Sequence, residues 1–367
     1  MKRKGFARCK RILAGTVAAV MLTGVCPFNV LAMPAAEPSG YVMPAPAQGQ
    51  SYDFASGYSG TQGPMWFYRW MDKDTGALSD MTWSSGNGRW EGNDHGGHWM
   101  RIFNDGLMSG NDGCSAVIEW VAPQDGVVLV TAGALDGKTA AGEISMETDR
   151  SDRDGATLRL EHNGATIWGG CSTRNNRKHL AFDPIRVAVK AGDTLRFVEN
   201  GDGGNAEYNN DRVFWNPTVT YEADASGVML SGAQMVSGGS VQMQAANLPG
   251  ITPEDVTLYA SVNGAVRTEL EVTGASLENG TLTIDFAPIR EENAAVQLFA
   301  VVGGTSAMVS YNTADYPSQL VEVTASVQGE GGSISPDSVT VEKGQSVTFT
   351  ITPDEGYSLY RLWVNGE

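Results

Sequence analysis

From Ser51 onward, apolar and polar residues alternate in short bursts with a period of two. Trp66-Phe67-Tyr68-Arg69-Trp70 and Ala116-Val117-Ile118-Glu119-Trp120 each predict a strand. Ala122-Pro123-Gln124-Asp125-Gly126 predicts a turn, after which Val127 to Thr131 resumes as a buried strand. Thr157–Glu161 and Ala165–Trp168 flank His162-Asn163-Gly164, a tight hairpin turn. Ile185–Val189 and Thr194–Val198 flank Lys190-Ala191-Gly192-Asp193 and predict a further hairpin; Val213 to Tyr221 closes the set. The block carries no helical signal, and many short strands punctuated by turn residues predict a β-sandwich.

A second series follows. Ser240–Gln244, Val256–Tyr259, Thr281–Phe286 and Val296–Leu298 alternate cleanly in a segment poorer in aromatics, of the size of an immunoglobulin-like sandwich. A third begins with Val321–Val327 and Ser346–Ile351, and its Asn365-Gly366 turn calls for a returning strand, so the chain reads as a piece of something longer. The predicted fold class is therefore all-β. A jelly-roll-like β-sandwich covers 51–222, an Ig-like β-sandwich 223–313, a linker 314–319, and an incomplete small β domain 320–367.

The N-terminus differs from the rest. MKRKGFARCKR carries six Lys/Arg and no acid, and an apolar run follows from Ile12 to about Leu22. With short side chains at −3 and −1 of a cleavage near Ala32, this predicts a secretory signal peptide over 1–32 and a secreted or cell-surface location. Cys26-Pro27 interrupts the apolar run below the roughly 20 residues of a membrane span, so no span is expected in the mature chain. Residues 33–50 are rich in Pro, Ala and Gly and read as a flexible linker. Removing the signal leaves 19 Lys/Arg against 42 acids. Such a chain repels phosphate backbones and anionic surfaces, which excludes nucleic acid as an expected partner and disfavours highly anionic polysaccharide. A neutral glycan, or a host or cell-wall surface, stays open.

Candidate chemistry concentrates in the first block, which holds eight of the nine tryptophans. Trp66, Tyr68, Trp70, Trp120, Trp168 and Trp215 fall on predicted strands and read mostly as core. Trp83, Trp90 and Trp99 fall in MTWSSGNGRWEGNDHGGHWM, whose glycines predict loop. With Arg89 and Asp94 they form the candidate carbohydrate-binding set: indole faces stack on pyranose rings, and polar neighbours orient hydroxyls. The alternative is packing of long loops. Cys114 and Cys171 are the disulfide candidate, closing a loop worth about 3–4 kcal/mol in the chain-entropy model; the alternative is two buried thiols. No metal site is predicted. His95 and His98 lack a helix and a third ligand, and an EF-hand register over 150–161 would put Arg150 where a carboxylate belongs. No catalytic motif stands out, and no cofactor is implied.

Two resemblances add to this. Gly329–Pro336, Val341–Phe349 and Pro353-Asp354-Glu355-Gly356-Tyr357 resemble the internalin-type B-repeat, which implies a spacer of Gram-positive surface proteins. Gln62-Gly63 before Trp66, Trp120–Pro123, Asn163-Gly164, Lys190–Thr194 and Trp215-Asn216-Pro217 resemble jelly-roll modules of secreted carbohydrate-active proteins of gut Firmicutes. That resemblance implies a fold more than a ligand. The leading expectation is a non-catalytic, surface-displayed protein whose first domain binds glycan while the others act as spacers. The rivals are an adhesin or stalk without glycan binding, for which the loop tryptophans should be buried, and an accessory region of a longer carbohydrate-active hydrolase.

Overall fold

The computed structural model describes residues 49–72, 74–93, 99–109, 114–147, 155–172, 179–201, 212–316, 320–342 and 347–364. The signal peptide, nearly all of the 33–50 linker, Asp94, His95, His98, the 149–154 acidic run and Asn365-Gly366 lie outside the described residues. Among the described residues, no helix is long and apolar enough to cross a membrane.

The chain is all-β. Its first sandwich comprises β1 (Ser51–Asp53), β2 (Trp66–Met71), β3 (Leu78–Asp80), β4 (Thr82–Ser84), β5 (Arg89–Asn93), β6 (Trp99–Phe103), β7 (Gly106–Met108), β8 (Ser115–Val121), β9 (Gly126–Gly133), β10 (Glu143–Met146), β11 (Ala156–His162), β12 (Ala165–Ser172), β13 (Leu180–Ala181), β14 (Ile185–Val189), β15 (Thr194–Gly201), β16 (Arg212–Phe214) and β17 (Asn216–Tyr221). They form three antiparallel sheets. One has the order β12-β11-β15-β8-β2-β3, a second β13-β10-β16-β7-β6-β5-β4, and a third β1-β17-β9-β14.

Side-chain alternation along each strand sends one residue in two toward a common core. The six-stranded sheet contributes Trp66, Tyr68, Ile118, Trp120, Leu158, Leu160 and Phe197. Val128, Val130 and Val219 from the four-stranded sheet, and Ile102, Leu107 and Val213 from the seven-stranded sheet, join the same cluster. Trp120 and Trp215 are fully buried. Trp215 meets Phe197 edge to face at 5.4 Å and 90°, and Trp168 meets Phe182 at 4.9 Å and 64°. These are favoured aromatic geometries, worth about 0.5–1.5 kcal/mol each beyond burial.

The expected hairpin at His162-Asn163-Gly164 forms: His162 stands opposite Ala165, with Asn163 at φ 50° and Gly164 at φ 81°. The expected hairpin at Lys190–Asp193 does not. β14 pairs with β9, whereas β15 pairs with β11 and β8 in another sheet. That turn is an arch between sheets, docked on the arch that joins β8 to β9. Gly192 N donates to Ala122 O at 2.8 Å, and Ala191 N to the Asp125 carboxylate at 2.8 Å. Sequence alternation is the same for a hairpin and an arch, since both put polar turn residues between apolar strands. The Val213–Tyr221 run likewise divides, at Trp215, into β16 and β17 on different sheets.

The second sandwich pairs β18 (Met229–Ser237), β19 (Ser240–Ala246), β23 (Thr281–Phe286) and β22 (Val272–Glu278) in one sheet. Its other sheet holds β21 (Thr268–Leu270), β20 (Val256–Val262), β24 (Ala295–Val302) and β25 (Thr305–Asn312). Val241, Met243, Leu258, Leu282, Ile284, Phe286 and Leu298 fill the space between. In the C-terminal segment β26 (Leu320–Thr324) pairs with β28 (Ser338–Glu342), and β27 (Gly332–Ser335) with β29 (Thr350–Pro353).

The two sandwiches are bolted together. Arg186 on β14 gives its Nε to both Glu222 oxygens at 2.9 and 2.8 Å and its Nη1 to the Gly303 carbonyl at 2.9 Å. Arg267 Nη2 donates to Asp183 at 3.0 Å while its guanidinium lies 4.4 Å from the Tyr259 ring. Ser306 N donates to Pro184 O at 2.8 Å, and Phe299 of β24 is counted in the first sandwich's core. A joint held by two part-buried guanidiniums and a shared apolar cluster is stiff. Arg186→Ala is expected to lower stability by about 1–3 kcal/mol. It should also split one calorimetric unfolding transition into two; a single unshifted transition would show the joint to be slack.

Candidate functional site

The candidate set does not assemble as the sequence suggested. Trp83 and Trp90 lie on strands, paired opposite one another across β4 and β5. The glycines that read as loop have other reasons. Gly88, at φ 62°, closes the β4–β5 turn with its N–H on Ser84 O at 2.8 Å. Gly92 lies inside β5 under Trp70, where an added Cβ would come within 2.9 Å of the indole ring. Trp90 is 4% exposed, stacked on Tyr68 at 4.7 Å and 12°, with its Nε1 donating to Ser59 O at 2.8 Å. Both a face and the polar edge of that indole are therefore used internally. Trp83 is half-buried at the rim, against Trp90 at 5.6 Å and Tyr58 at 5.9 Å. Burial pushes the Tyr58 hydroxyl well above its ordinary range, and it donates to Ile102 O at 2.8 Å.

Arg89 precedes Trp90 on the same strand, so it projects from the opposite face of the sheet. Trp99 stands opposite Asn93 in backbone register; its side chain lies outside the described part, as does Asp94. Cys114 is buried at the start of β8. Cys171 stands opposite Leu158, but its side chain, and hence the disulfide candidate, lies outside the described part.

The outward face where Arg89 emerges carries residues that sequence reading missed. Two tripeptides of one pattern, Arg101-Ile102-Phe103 on β6 and Arg212-Val213-Phe214 on β16, flank β7. Arg101 and Arg212 both register with Met108, and Phe103 and Phe214 both register with Gly106. Ile102 and Val213 point into the core and are fully buried. Gly106, at φ 152°, leaves the space that brings β7 against β16; a Cβ there would run into the Val213 carbonyl. The repeated Arg-apolar-Phe pattern was the available signal.

Arg212 lies 4.0 Å from the Phe103 ring and 5.1 Å from that of Phe214. Its Nη2 donates to Asp105 at 2.5 Å, and Lys138, 5.0 Å over Phe214, pairs with the same carboxylate. Asp105 is thus 5% exposed between two cations. Arg89 gives its Nε to Glu91 at 2.7 Å and lies 5.7 Å from Phe103. Glu91 also accepts from Asn87 at 3.3 Å. Burial, then the neighbouring Arg89 charge, lowers Arg101 from its ordinary value, against a raising contribution from Glu91.

The outward face of the six-stranded sheet makes a useful contrast. There Asp80, Arg69, Glu119, Arg196, Glu161 and Arg159 form a closed charge ladder, three cations against three acids. Glu119 and Glu161 are 4% and 6% exposed. On the seven-stranded sheet the ion pairs among the described residues join Arg89 to Glu91, Lys138 and Arg212 to Asp105, Arg212 to Glu147, and His179 to Glu143.

Among known proteins, residues 321–365 match the family described as the divergent InlB B-repeat domain, where the sequence pattern placed a B-repeat. No curated protein matches. Solved structures similar to this chain include a GH2 β-galacturonidase from Eisenbergiella tayi bound to galacturonate, at 10% identity and TM-score 0.23, covering 76% of this chain and 45% of that one. They also include the adhesin domain of Epf from Streptococcus pyogenes, at 8% identity and TM-score 0.17, covering 67% and 90%. Tandem CBM51 modules of a family 98 glycoside hydrolase from Streptococcus pneumoniae overlap at 9% identity and TM-score 0.18, covering 66% and 88%. The chain spans 45% and 32% of the lengths of the first two structures matched.

The two faces of β5 should respond differently to mutation. Trp90→Ala is expected to cost about 3–5 kcal/mol of stability, as for other large core truncations. Arg89→Ala should cost within about 0.5 kcal/mol. Urea unfolding midpoints check both, and a stability loss from Arg89→Ala matching that of Trp90→Ala would contradict the assignment of faces.

Proposed function

We propose that the chain is a non-catalytic, surface-displayed region in which the first sandwich is a glycan-binding head and the second sandwich and B-repeat segment are its support. The observation that carries this reading is the outward face of the seven-stranded sheet. Its guanidiniums and phenylalanine rings lie together on one face of one sheet, with Arg89 holding Glu91 through its Nε and lying over the Phe103 ring. Guanidinium forks and ring edges on a sheet surface suit an extended ligand rich in oxygen acceptors. The stiff joint at Arg186 and Arg267 supports the division of labour, because a head fixed on a rigid neighbour presents its face at a constant angle.

A second reading, an adhesin or stalk that binds no glycan, draws on the burial of Trp90 and the internal packing of Trp83. Those indoles hold the head together, so any glycan site must use other groups.

The test is glycan-array binding by the full chain beside Arg89→Gln and Trp83→Ala. The proposal expects binding to a defined glycan that Arg89→Gln weakens and Trp83→Ala leaves largely intact. Absence of binding across a broad array, from a folded chain, would favour the stalk.

A further inference from the structure

We infer that Asn279-Gly280, the turn between β22 and β23, is a site of spontaneous modification, where the asparagine amide is lost to water and aspartate and isoaspartate take its place. The site belongs to the second sandwich and is independent of the glycan-binding reading.

An asparagine followed by glycine carries its own nucleophile. The Gly280 backbone nitrogen attacks Asn279 Cγ, so that an N–Cγ bond forms and the Cγ–Nδ2 bond breaks. Ammonia leaves, taking the proton that the Gly280 nitrogen gives up. Water then opens the five-membered imide. Opening at the former side-chain carbonyl gives aspartate, and opening at the backbone carbonyl gives isoaspartate. Nothing is oxidised or reduced, and water is the only co-reactant. Glycine leaves the approach open because it has no Cβ.

Five Asn-Gly steps fall among the described residues, beginning at Asn87, Asn163, Asn200, Asn263 and Asn279. Three of them have one backbone. Asn163, Asn263 and Asn279 each sit at φ 50°, followed by glycines at 81°, 71° and 78°, and all three asparagines are exposed. Only their side-chain hydrogen bonds differ. Asn163 Oδ1 accepts from Thr194 N at 2.9 Å while its Nδ2 donates to Asp193 at 2.9 Å. Asn263 Oδ1 accepts from Ala295 N at 3.0 Å while its Nδ2 donates to Glu291 at 2.8 Å. Both amides are pinned at both ends. No hydrogen bond joins the Asn279 side chain to any described residue.

The other two steps are restrained differently. The Gly88 nitrogen already donates to Ser84 O at 2.8 Å, and Asn87 Nδ2 to the Ser84 hydroxyl at 3.0 Å. Asn200 lies within β15, paired with β11 and β8 on either side. Attack needs Cγ aligned within about 3–3.5 Å of the glycine nitrogen. A free side chain samples that geometry. A doubly pinned one must first break its hydrogen bonds, which slows the reaction by about tenfold or more.

Conversion would act on an edge. β22 is the outer strand of its sheet, Glu278 stands opposite Thr281 across the turn, and the Gly280 carbonyl accepts from Ala245 N at 2.8 Å. Isoaspartate inserts an extra methylene into this two-residue turn, and either product sets a new carboxylate beside Glu278.

The experiment holds the full chain at mildly alkaline pH in heavy-oxygen water, folded or unfolded in urea. Peptide mass mapping reads each site, and enzymatic methylation reads isoaspartate. In the folded chain Asn279 is expected to lose its amide about tenfold or more faster than Asn163 or Asn263. In urea, without those hydrogen bonds, the three rates should converge. Glu291→Ala removes the acceptor of Asn263 Nδ2 and should speed Asn263 by about threefold or more, with Asn279 unchanged. Unfolding midpoints confirm that the variant is folded.

Conversion of Asn163 or Asn263 as fast as Asn279 in the folded chain would overturn the assignment. So would an Asn279 that stays intact when folded yet converts in urea. An unchanged Asn263 rate in folded Glu291→Ala would overturn the pinning on which the ranking rests.

Discussion

The aromatic seam between the six-stranded sheet and the two sheets facing it is what the rest of the first sandwich depends on. Trp120, Trp168, Trp215, Tyr68, Phe182 and Phe197 are all buried there, in tilted or edge-to-face contacts where ring pairs meet. Because a strand turns successive side chains to opposite faces, filling this seam decides what the outer faces carry. Trp90 must point in, so Arg89 points out. Ile102 and Val213 point in, so Arg101, Phe103, Arg212 and Phe214 point out. The candidate binding face is the complement of the core.

Ion pairs then tie the charged residues of both outward faces together. On the six-stranded sheet, near-buried Glu119 accepts from Arg196 Nε at 2.7 Å and forms an ion pair with Arg69 at 3.0 Å. Breaking a pair there would strand a near-buried charge, which is the expensive case. On the seven-stranded sheet Lys138 and Arg212 share Asp105, and Arg89 gives its Nε to Glu91.

Much of the fold was legible because the period-2 alternation was strong: β2, β8, β9, β11, β12 and the closing run fall where apolar residues alternate with polar ones. Two things were not. An inter-sheet arch and a hairpin share one local signature, so the partner of β14 could not be read from Lys190–Asp193. Glycine was ambiguous in the second case. Gly86, Gly88 and Gly92 suggested loop, whereas Gly88 makes a turn and Gly92 makes room for Trp70 inside a strand. Once β5 was misread as loop, the opposite-face relation of Arg89 and Trp90 was hidden. The paired Arg-Ile-Phe and Arg-Val-Phe tripeptides gained meaning only when register placed them on either side of β7.

The central claim is that the outward guanidiniums, rather than the indoles, meet the ligand. Nitrogen-15 NMR of the chain titrated with a glycan that it binds on an array tests it directly, because arginine Nε–H and tryptophan Nε1–H signals resolve separately. The account predicts movement of the Arg89 signal with the Trp90 and Trp83 indoles unmoved. Movement of the Trp83 indole, with Arg89 unchanged, would contradict it.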